Sequence, residues 1–304
     1  MRRERKRGSE QCRNEKGSRR PAALLRAVFL PFLLFVLVSD AVQLLLTELS
    51  QRFSSGGGWA AHFPAEYPGE WQALVLMLAA GAGLGAARLA EELAARRGAG
   101  ESFLRGFPEV SLRPRSPWRM REKLFSAALC VSLGLALNIL LMQSGPVEAG
   151  TGKEAEGLVF RTVWPVAFLC YGLVCPLAEE LIFRGVVYGR LRRAGGVSAA
   201  ALVSAALFGV WHGNLRQGLY GFAMGLVLSL LYESSEELRI PVFLHGLTNT
   251  VIFTLGGLGV LQSAPEGIAG PGGSAVFLAA AGVSAAFLIR EGMRGTGKGM
   301  KDRP

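Results

Sequence analysis

The sequence predicts an all-α protein that crosses a membrane about eight times. Three observations lead to this fold class. Half of the 304 residues are hydrophobic, with a mean hydropathy of +0.33. The apolar residues gather in runs, several of which reach the roughly 20 residues needed to cross a bilayer. The charged residues, 18% of the chain, cluster between those runs. A soluble domain would spread its charges along the chain, so this distribution excludes that class.

The chain begins with a basic tail, residues 1–20, which carries nine Lys and Arg side chains. Such a tail can indicate nucleic-acid binding, but a positive flank beside a membrane helix is the better interpretation, and we expect no nucleic-acid partner. The apolar run 22–46 follows directly. It is too long for the core of a cleavable signal peptide and lacks a small-x-small cleavage site. We therefore expect the first membrane helix here.

Seven further apolar runs follow. One of them holds the segment Gly81-Ala-Gly-Leu-Gly85 and another holds Gly221-Phe-Ala-Met-Gly225, where small residues let helices approach closely. The fifth and sixth runs are short. They are predicted either to be barely long enough to cross the membrane or to form a re-entrant pair. The seven runs cover approximately residues 71–89, 124–142, 158–182 with an extension, 197–212, 219–232, 240–258 and 275–289.

The charges between the runs predict the orientation of the chain. Lys and Arg concentrate in the loop 90–123, after the fourth run and in the C-terminal tail, and are scarce in the alternate segments. This alternation predicts an integral membrane protein, in the cell membrane if the source is prokaryotic, with both termini cytoplasmic. The predicted parts are the tail 1–20, three helices in 21–157 with the cytoplasmic loop 90–123, a helical core in 158–258, and a last helix with a basic tail in 259–304.

The helical core carries ionisable and amide side chains at membrane depth. Each ionisable group costs about 2.5–3.5 kcal/mol to insert, so a chain that keeps several of them is expected to use them. Glu179 lies about 16–20 Å inside the interface marked by residues 190–193, near the middle of the bilayer. His245 is only six residues from Arg239, and a tilt or a break at Pro241 would bring it to the same depth.

Spacing divides these side chains into groups. Glu180 and Arg184 are four residues apart, so they face each other on a helix and can form an ion pair. Glu179 projects about 100° away from them, without a partner in its own helix, where a carboxylate can accept a proton from water. His245 and Asn249 are also four apart and share a face.

Three short motifs follow one another on these runs: Glu179-Glu180-x-x-x-Arg184, Phe208-x-x-x-His212 and His245-x-x-x-Asn249. In this order the motifs resemble the CPBP family of CAAX prenyl proteases and bacteriocin-processing or immunity proteins, also called Abi. The resemblance covers roughly residues 160–255, about a third of the chain. It does not reach the first three runs, from which we infer no function.

The resemblance implies an eight-helix intramembrane peptidase whose cavity opens towards the cytoplasm or the inner leaflet. Its substrate would be a membrane-associated protein or peptide, such as a lipidated CAAX-type protein. By position, Glu179 would activate water with help from His212. His245 and Asn249 would polarise the scissile carbonyl and stabilise the oxyanion. Glu180 with Arg184 would be structural support.

The sequence leaves open whether a metal cofactor takes part. Glu179, His212 and His245 match the ligand types of a three-ligand Zn²⁺ site with an open fourth position. Against this, the sequence contains no His-Glu-x-x-His helix, and the three ligands would come from three separate helices.

Other interpretations also remain open. Glu180 and Arg184 can form a salt bridge at the membrane interface, and His212 can be a hydrogen-bonded residue where a helix ends. Phe208 is interpreted as a packing or interfacial residue, and Asp40 as interfacial or part of a buried pair. Two other functions fit the same side chains: a non-enzymatic immunity or scaffold protein that binds a partner through the cavity, and a transporter or proton relay. Broken helices in paired halves would favour transport, and the sequence shows none.

Overall fold

The structure, a computed structural model, describes residues 2–53, 59–96, 118–143, 157–263 and 271–299. These residues are almost entirely helical and include no strand, which confirms the all-α class. The middle of the predicted loop 90–123 and the end of the C-terminal tail lie outside the described residues. The main helices are α1 (Arg2–Phe53), α2 (Pro68–Arg96), α3 (Met120–Gln143), α4 (Trp164–Gly195), α5 (Val197–Trp211), α6 (Leu215–Ser235), α7 (Arg239–Gly257) and α8 (Pro271–Gly299).

Six of these helices are long and apolar enough to cross a membrane: α1 to α4, α7 and α8. The other two correspond to the runs that were predicted to be short. Helix α5 has 15 residues, so it is about 22 Å long and falls short of a roughly 30 Å hydrocarbon core. Helix α6 has 21 residues but a more polar composition. The count of eight crossings therefore stays a prediction.

One end of the bundle gathers the segments that were predicted to be cytoplasmic. The ends of α2, α4, α6 and α8 and the start of α3 meet there through ion pairs. These pairs are Arg190–Glu91, Arg192–Glu233 and Arg121–Glu291. At the opposite end, Glu70 of α2 accepts a hydrogen bond from the backbone N–H of Val163, at 2.9 Å. The alternation of helix direction agrees with the charge pattern, and the side of the membrane that each end faces stays a prediction.

Small residues let α1 and α2 pack closely at the predicted segment Gly81-Ala-Gly-Leu-Gly85, through its middle glycine. A side chain at Gly83 would meet the backbone oxygen of Phe35 at 2.7 Å and the hydroxyl of Ser39. Gly81 and Gly85 face open space, because nothing lies within 4 Å of a side chain built there. The segment was predicted correctly, and periodicity alone did not fix which of its three glycines turns towards α1.

Helix α4 departs from regular α-helical winding on both sides of its acidic pair. The segments Phe168–Val174 and Leu181–Tyr188 are π-helical, and the α-helical turn Cys175–Glu180 lies between them. Such wider turns re-aim side chains and are frequent at functional sites. Glu179 is the sixteenth of the 32 residues of Trp164–Gly195. This position agrees with the predicted depth near the middle of the membrane.

Candidate active site

A cavity of about 500 Å³ opens between the helices, and four of the six predicted site residues line it: Glu179, His212, His245 and Asn249. Helices α4, α5 and α7 position these residues. The other two predicted residues, Glu180 and Arg184, lie behind the wall with no exposed surface. The structure therefore brings all six together, although they are spread over 71 residues of sequence from Glu179 to Asn249.

Glu180 holds two partners through one carboxylate oxygen. Its Oε1 accepts a hydrogen bond from Nη1 of Arg184 at 2.7 Å and contacts Nδ1 of His245 at 2.9 Å. A carboxylate paired with an arginine only accepts hydrogen bonds, so the proton of neutral His245 is on Nδ1 and its lone pair is on Nε2. The predicted ion pair is confirmed. The contact with His245, which gives Glu180 a role in orienting the imidazole, was not predicted.

Arg184 has two further partners inside the bundle besides Glu180. Its Nη2 donates to the backbone oxygen of Gly225 at 3.1 Å. Its guanidinium carbon lies 4.7 Å from the centre of the Phe208 ring, a cation–π contact, while its Nε has no hydrogen-bond partner among the described residues. Both Glu180 and Arg184 are fully buried. Burial in the protein does not fix membrane depth, so the interfacial salt bridge stays an alternative prediction.

Glu179 faces the same histidine from the cavity side. Its Oε2 lies 3.7 Å from Nε2 of His245, and 17% of its side-chain surface is exposed. This separation is too long for a direct hydrogen bond, so the carboxylate and the imidazole nitrogen can share a third polar atom. His245 thus stands between two glutamates, one of which fixes its tautomer and the other of which lines the cavity. Helix α7 runs unbroken through Pro241, so no break is needed to reach this depth.

His212 lies immediately after the last turn of α5, and its ring is also held by one nitrogen. Its Nδ1 donates to the backbone oxygen of Phe208 at 2.8 Å, which leaves Nε2 with the lone pair in the neutral form. A side chain at Gly221 of α6 would come within 3.1 Å of Nδ1, so a larger residue there would press against the imidazole. The interpretation as a hydrogen-bonded residue at a helix end is right, and His212 also lines the cavity.

Phe208 connects the two histidines. Its ring meets the ring of His212 edge-on at 4.8 Å between centroids, and that of His245 at 5.7 Å. The sequence interpretation as a packing residue was therefore incomplete, because Phe208 packs against catalytic candidates and against Arg184 at once. The signal that points to it is its four-residue spacing from His212, which places the Phe208 carbonyl under the imidazole.

Asn249 fixes α7 against α4. Its Nδ2 donates to the backbone oxygen of Tyr171 at 3.1 Å. The two helices touch closely here, since a side chain at Gly246 would collide with the backbone oxygen of Gly172. One amide hydrogen of Asn249 is used in this contact, and the second remains to serve the cavity that the residue lines.

Polar side chains outside the set of predicted site residues also line the cavity. Helices α1, α2 and α3 contribute to it, and α6, within the predicted core, adds three more residues. The sequence assigned no function to the first three runs, and of the polar residues in those runs that line the cavity only Asp40 was noted. The signal available was a polar residue inside an apolar run, which does not tell which face of its helix is buried. These lining residues are Asp40, Gln43, Gln72, Asn138, Arg216, Gln217 and Tyr220.

The zinc site considered for Glu179, His212 and His245 gains no support from the geometry. No group of three or more His, Cys, Asp or Glu side chains in the described part of the chain is placed to hold a metal ion. The three residues carry suitable donor atoms, but their positions do not converge. The chemistry derived below therefore routes no step through a metal.

Comparisons with known proteins agree with the motifs. Residues 161–251 match the family described as type II CAAX prenyl endopeptidase Rce1-like. A "putative membrane peptidase YdiL" of Bacillus subtilis (strain 168) is 32% identical over 108 residues, which cover 34% of this chain and 44% of that protein. A "membrane-embedded CAAX protease MroQ" of Staphylococcus aureus (strain USA300) is 28% identical over 159 residues, which cover 49% of this chain and 62% of that protein. The matches thus span about half the length of these relatives, and no solved structure matches at a significant level.

Proposed function

Since residues 161–251 carry an Rce1-like segment, we propose that this chain is an intramembrane endopeptidase that hydrolyses a peptide bond in a membrane-associated protein or peptide. One observation carries the proposal. Glu179 faces Nε2 of His245 across 3.7 Å at the cavity wall, while Glu180 holds the opposite nitrogen of the same ring. A carboxylate and an oriented imidazole in a buried cavity are groups that can move a proton during hydrolysis.

In the proposed reaction Glu179 accepts a proton from the water that attacks the scissile carbonyl. The hydroxide adds to the carbonyl carbon, and the C–N bond then breaks. The leaving nitrogen receives the proton from Glu179 through Nε2 of His245, which carries a lone pair in the neutral ring. Nε2 of His212 helps to position the water as a second acceptor. Proton transfer by positioned groups of this kind contributes typically 10²–10⁴-fold to rate.

The oxyanion that forms on the carbonyl needs a donor in the same cavity. We assign this role to the second amide hydrogen of Asn249, because the first is held by Tyr171 and therefore fixes the direction of the group. Removing one such donor costs an enzyme about 10²–10³ in kcat. His245 can donate from Nε2 only after it has gained a second proton, so its first role is proton transfer. Glu180 and Arg184 act through His245 as positioning residues.

The substrate class follows from the surroundings of the site. Glu179 lies midway along a membrane helix, so a substrate must reach the bilayer by a lipid group, as a CAAX-type protein does, or by an apolar segment of its own. We keep the orientation with both termini cytoplasmic as part of the proposal, since the ends of the basic segments meet at one end of the bundle.

Purified protein in proteoliposomes provides the test. An isoprenylated peptide, the same peptide without the isoprenoid, and an apolar membrane-spanning peptide would each be incubated with the wild type. New peptide ends would be identified by mass spectrometry. Glu179→Gln should abolish cleavage, because glutamine keeps the shape and cannot accept the proton. His62→Ala is the matched histidine control and should cleave normally, because His62 is exposed and outside the cavity.

Equal cleavage by Glu179→Gln and wild type would refute the assignment of the base. No cleavage of any of the three peptides, with binding of one of them retained, would favour the non-enzymatic binding role instead.

A further inference from the structure

Three buried polar atoms of cavity-lining residues lie outside the set of proposed catalytic groups. They are the hydroxyl of Tyr220 on α6, Oδ1 of Asn138 on α3 and the hydroxyl of Tyr171 on α4. None of the three has a hydrogen-bond partner among the residues that the structure describes, and the groups of Tyr220 and Asn138 both lie at α3. Asn138 is also outside the segment 161–251 that matches the peptidase family.

The two groups lie near each other along α3. Gly134 is one helical turn before Asn138, and a side chain built at Gly134 would come within 3.1 Å of the Tyr220 hydroxyl. The same built atom would collide with Thr248 of α7 at 2.6 Å. The absence of a side chain at Gly134 thus lets the Tyr220 hydroxyl lie against α3, where α3, α6 and α7 meet.

A buried polar atom without a partner lowers the stability of a folded protein, whereas an apolar side chain of the same shape does not. Phenylalanine at position 220 and leucine at position 138 would remove this cost. The two polar atoms point instead to a partner that arrives with the substrate, because both residues face the space that the substrate enters.

We propose that Tyr220 and Asn138 form a subsite that binds the main chain of the peptide substrate, which rests on the proposed peptidase function. A peptide bond must leave regular helical hydrogen bonding to be hydrolysed, and its freed N–H and C=O groups then need partners in apolar surroundings. The Tyr220 hydroxyl donates to a substrate carbonyl, and the Asn138 amide oxygen accepts from a substrate N–H. Helix α3 thereby contributes directly to substrate binding.

Three variants test the subsite in the proteoliposome assay, with whichever of the three peptides the wild type cleaves. Tyr220→Phe and Asn138→Leu should each lower kcat/KM at least tenfold, mainly through KM. The unfolding temperature of Tyr220→Phe should equal or exceed that of the wild type, because the hydroxyl has no partner in the free protein. Tyr232→Phe is the matched control, on the same helix and outside the cavity lining, and should leave kcat/KM unchanged.

Methylation of single backbone nitrogens in the peptide adds a readout that a structural role would not move. One N-methyl position should lower kcat/KM for the wild type and have no further effect in Asn138→Leu. Unchanged kcat/KM in Tyr220→Phe and Asn138→Leu, with Glu179→Gln inactive, would overturn the subsite alone. A lower unfolding temperature of Tyr220→Phe would also overturn it, since the hydroxyl would then serve the fold. Activity in Glu179→Gln would overturn the proposed mechanism instead, and no cleavage by the wild type would remove both proposals.

Discussion

Replacing Glu180 by leucine separates the two roles that the structure gives this side chain. Glu180 is fully buried and bonds Arg184 and His245 through the same oxygen. In Glu180→Leu the guanidinium keeps its bond to the backbone of Gly225 but loses its counter-charge. Breaking a buried ion pair by removing one partner costs about 3–5 kcal/mol. For a protein of this size that corresponds to a fall in unfolding temperature of roughly 5–8 °C.

The double variant Glu180→Leu/Arg184→Met removes the whole pair. Replacing both members of a buried pair by apolar side chains is often close to neutral, so most of the stability should return. The Nδ1 proton of His245 would still lack its acceptor, which leaves a deficit of about 1–3 kcal/mol. Peptidase activity should stay lost in the double variant, because the imidazole is no longer held in the tautomer that places a lone pair on Nε2.

The assay combines thermal unfolding in detergent, followed by tryptophan fluorescence, with peptide cleavage in proteoliposomes. We expect low stability and no activity in Glu180→Leu, and recovered stability without activity in the double variant. If the double variant recovered activity together with stability, Glu180 would only support the fold, and the reasoning about His245 would be refuted. A single variant as stable as the wild type would refute the energetic argument for the pair.

Two further predictions concern a glycine beside His212 and an ion pair at one end of the bundle. Gly221→Ala brings a methyl group within 3.1 Å of the His212 ring, so kcat/KM should fall at least tenfold while membrane insertion is kept. Gly85→Ala is the control, because its methyl group meets nothing within 4 Å. Equal activity of the two variants would contradict the placement of His212. Glu91→Gln removes the carboxylate charge that pairs with the buried Arg190 and should lower stability, by at most the roughly 3–5 kcal/mol of a broken buried pair, measured by thermal unfolding. The activity of the molecules that stay folded should be unchanged, and lost activity with full stability would show that this pair serves the site.

Much of this arrangement can be predicted from the sequence, because it depends on the spacing of residues along single helices. The ion pair of Glu180 with Arg184 follows from a four-residue spacing on one helix, and so does the shared face of His245 and Asn249. The depth of Glu179 follows from counting residues to the basic segment. These inferences need only helical periodicity and the cost of charge in a membrane.

Contacts between helices were less predictable. The bond from Glu180 to His245 joins residues 65 apart, and nothing in either motif indicates which nitrogen of the ring is used. Asn138 was not identified because a single polar residue in an apolar run does not reveal which neighbour it faces. The count of eight crossings depends on α5 and α6, which are too short or too polar for composition to decide.

The central claim is that this chain cleaves membrane-associated proteins and needs Glu179 to do so. Terminal-peptide mass spectrometry compares membranes from cells that express the wild type, Glu179→Gln or His62→Ala at equal levels. We expect protein ends that are present with the wild type and His62→Ala and absent with Glu179→Gln. Identical sets of ends in all three membranes, with every variant folded and inserted, would contradict it.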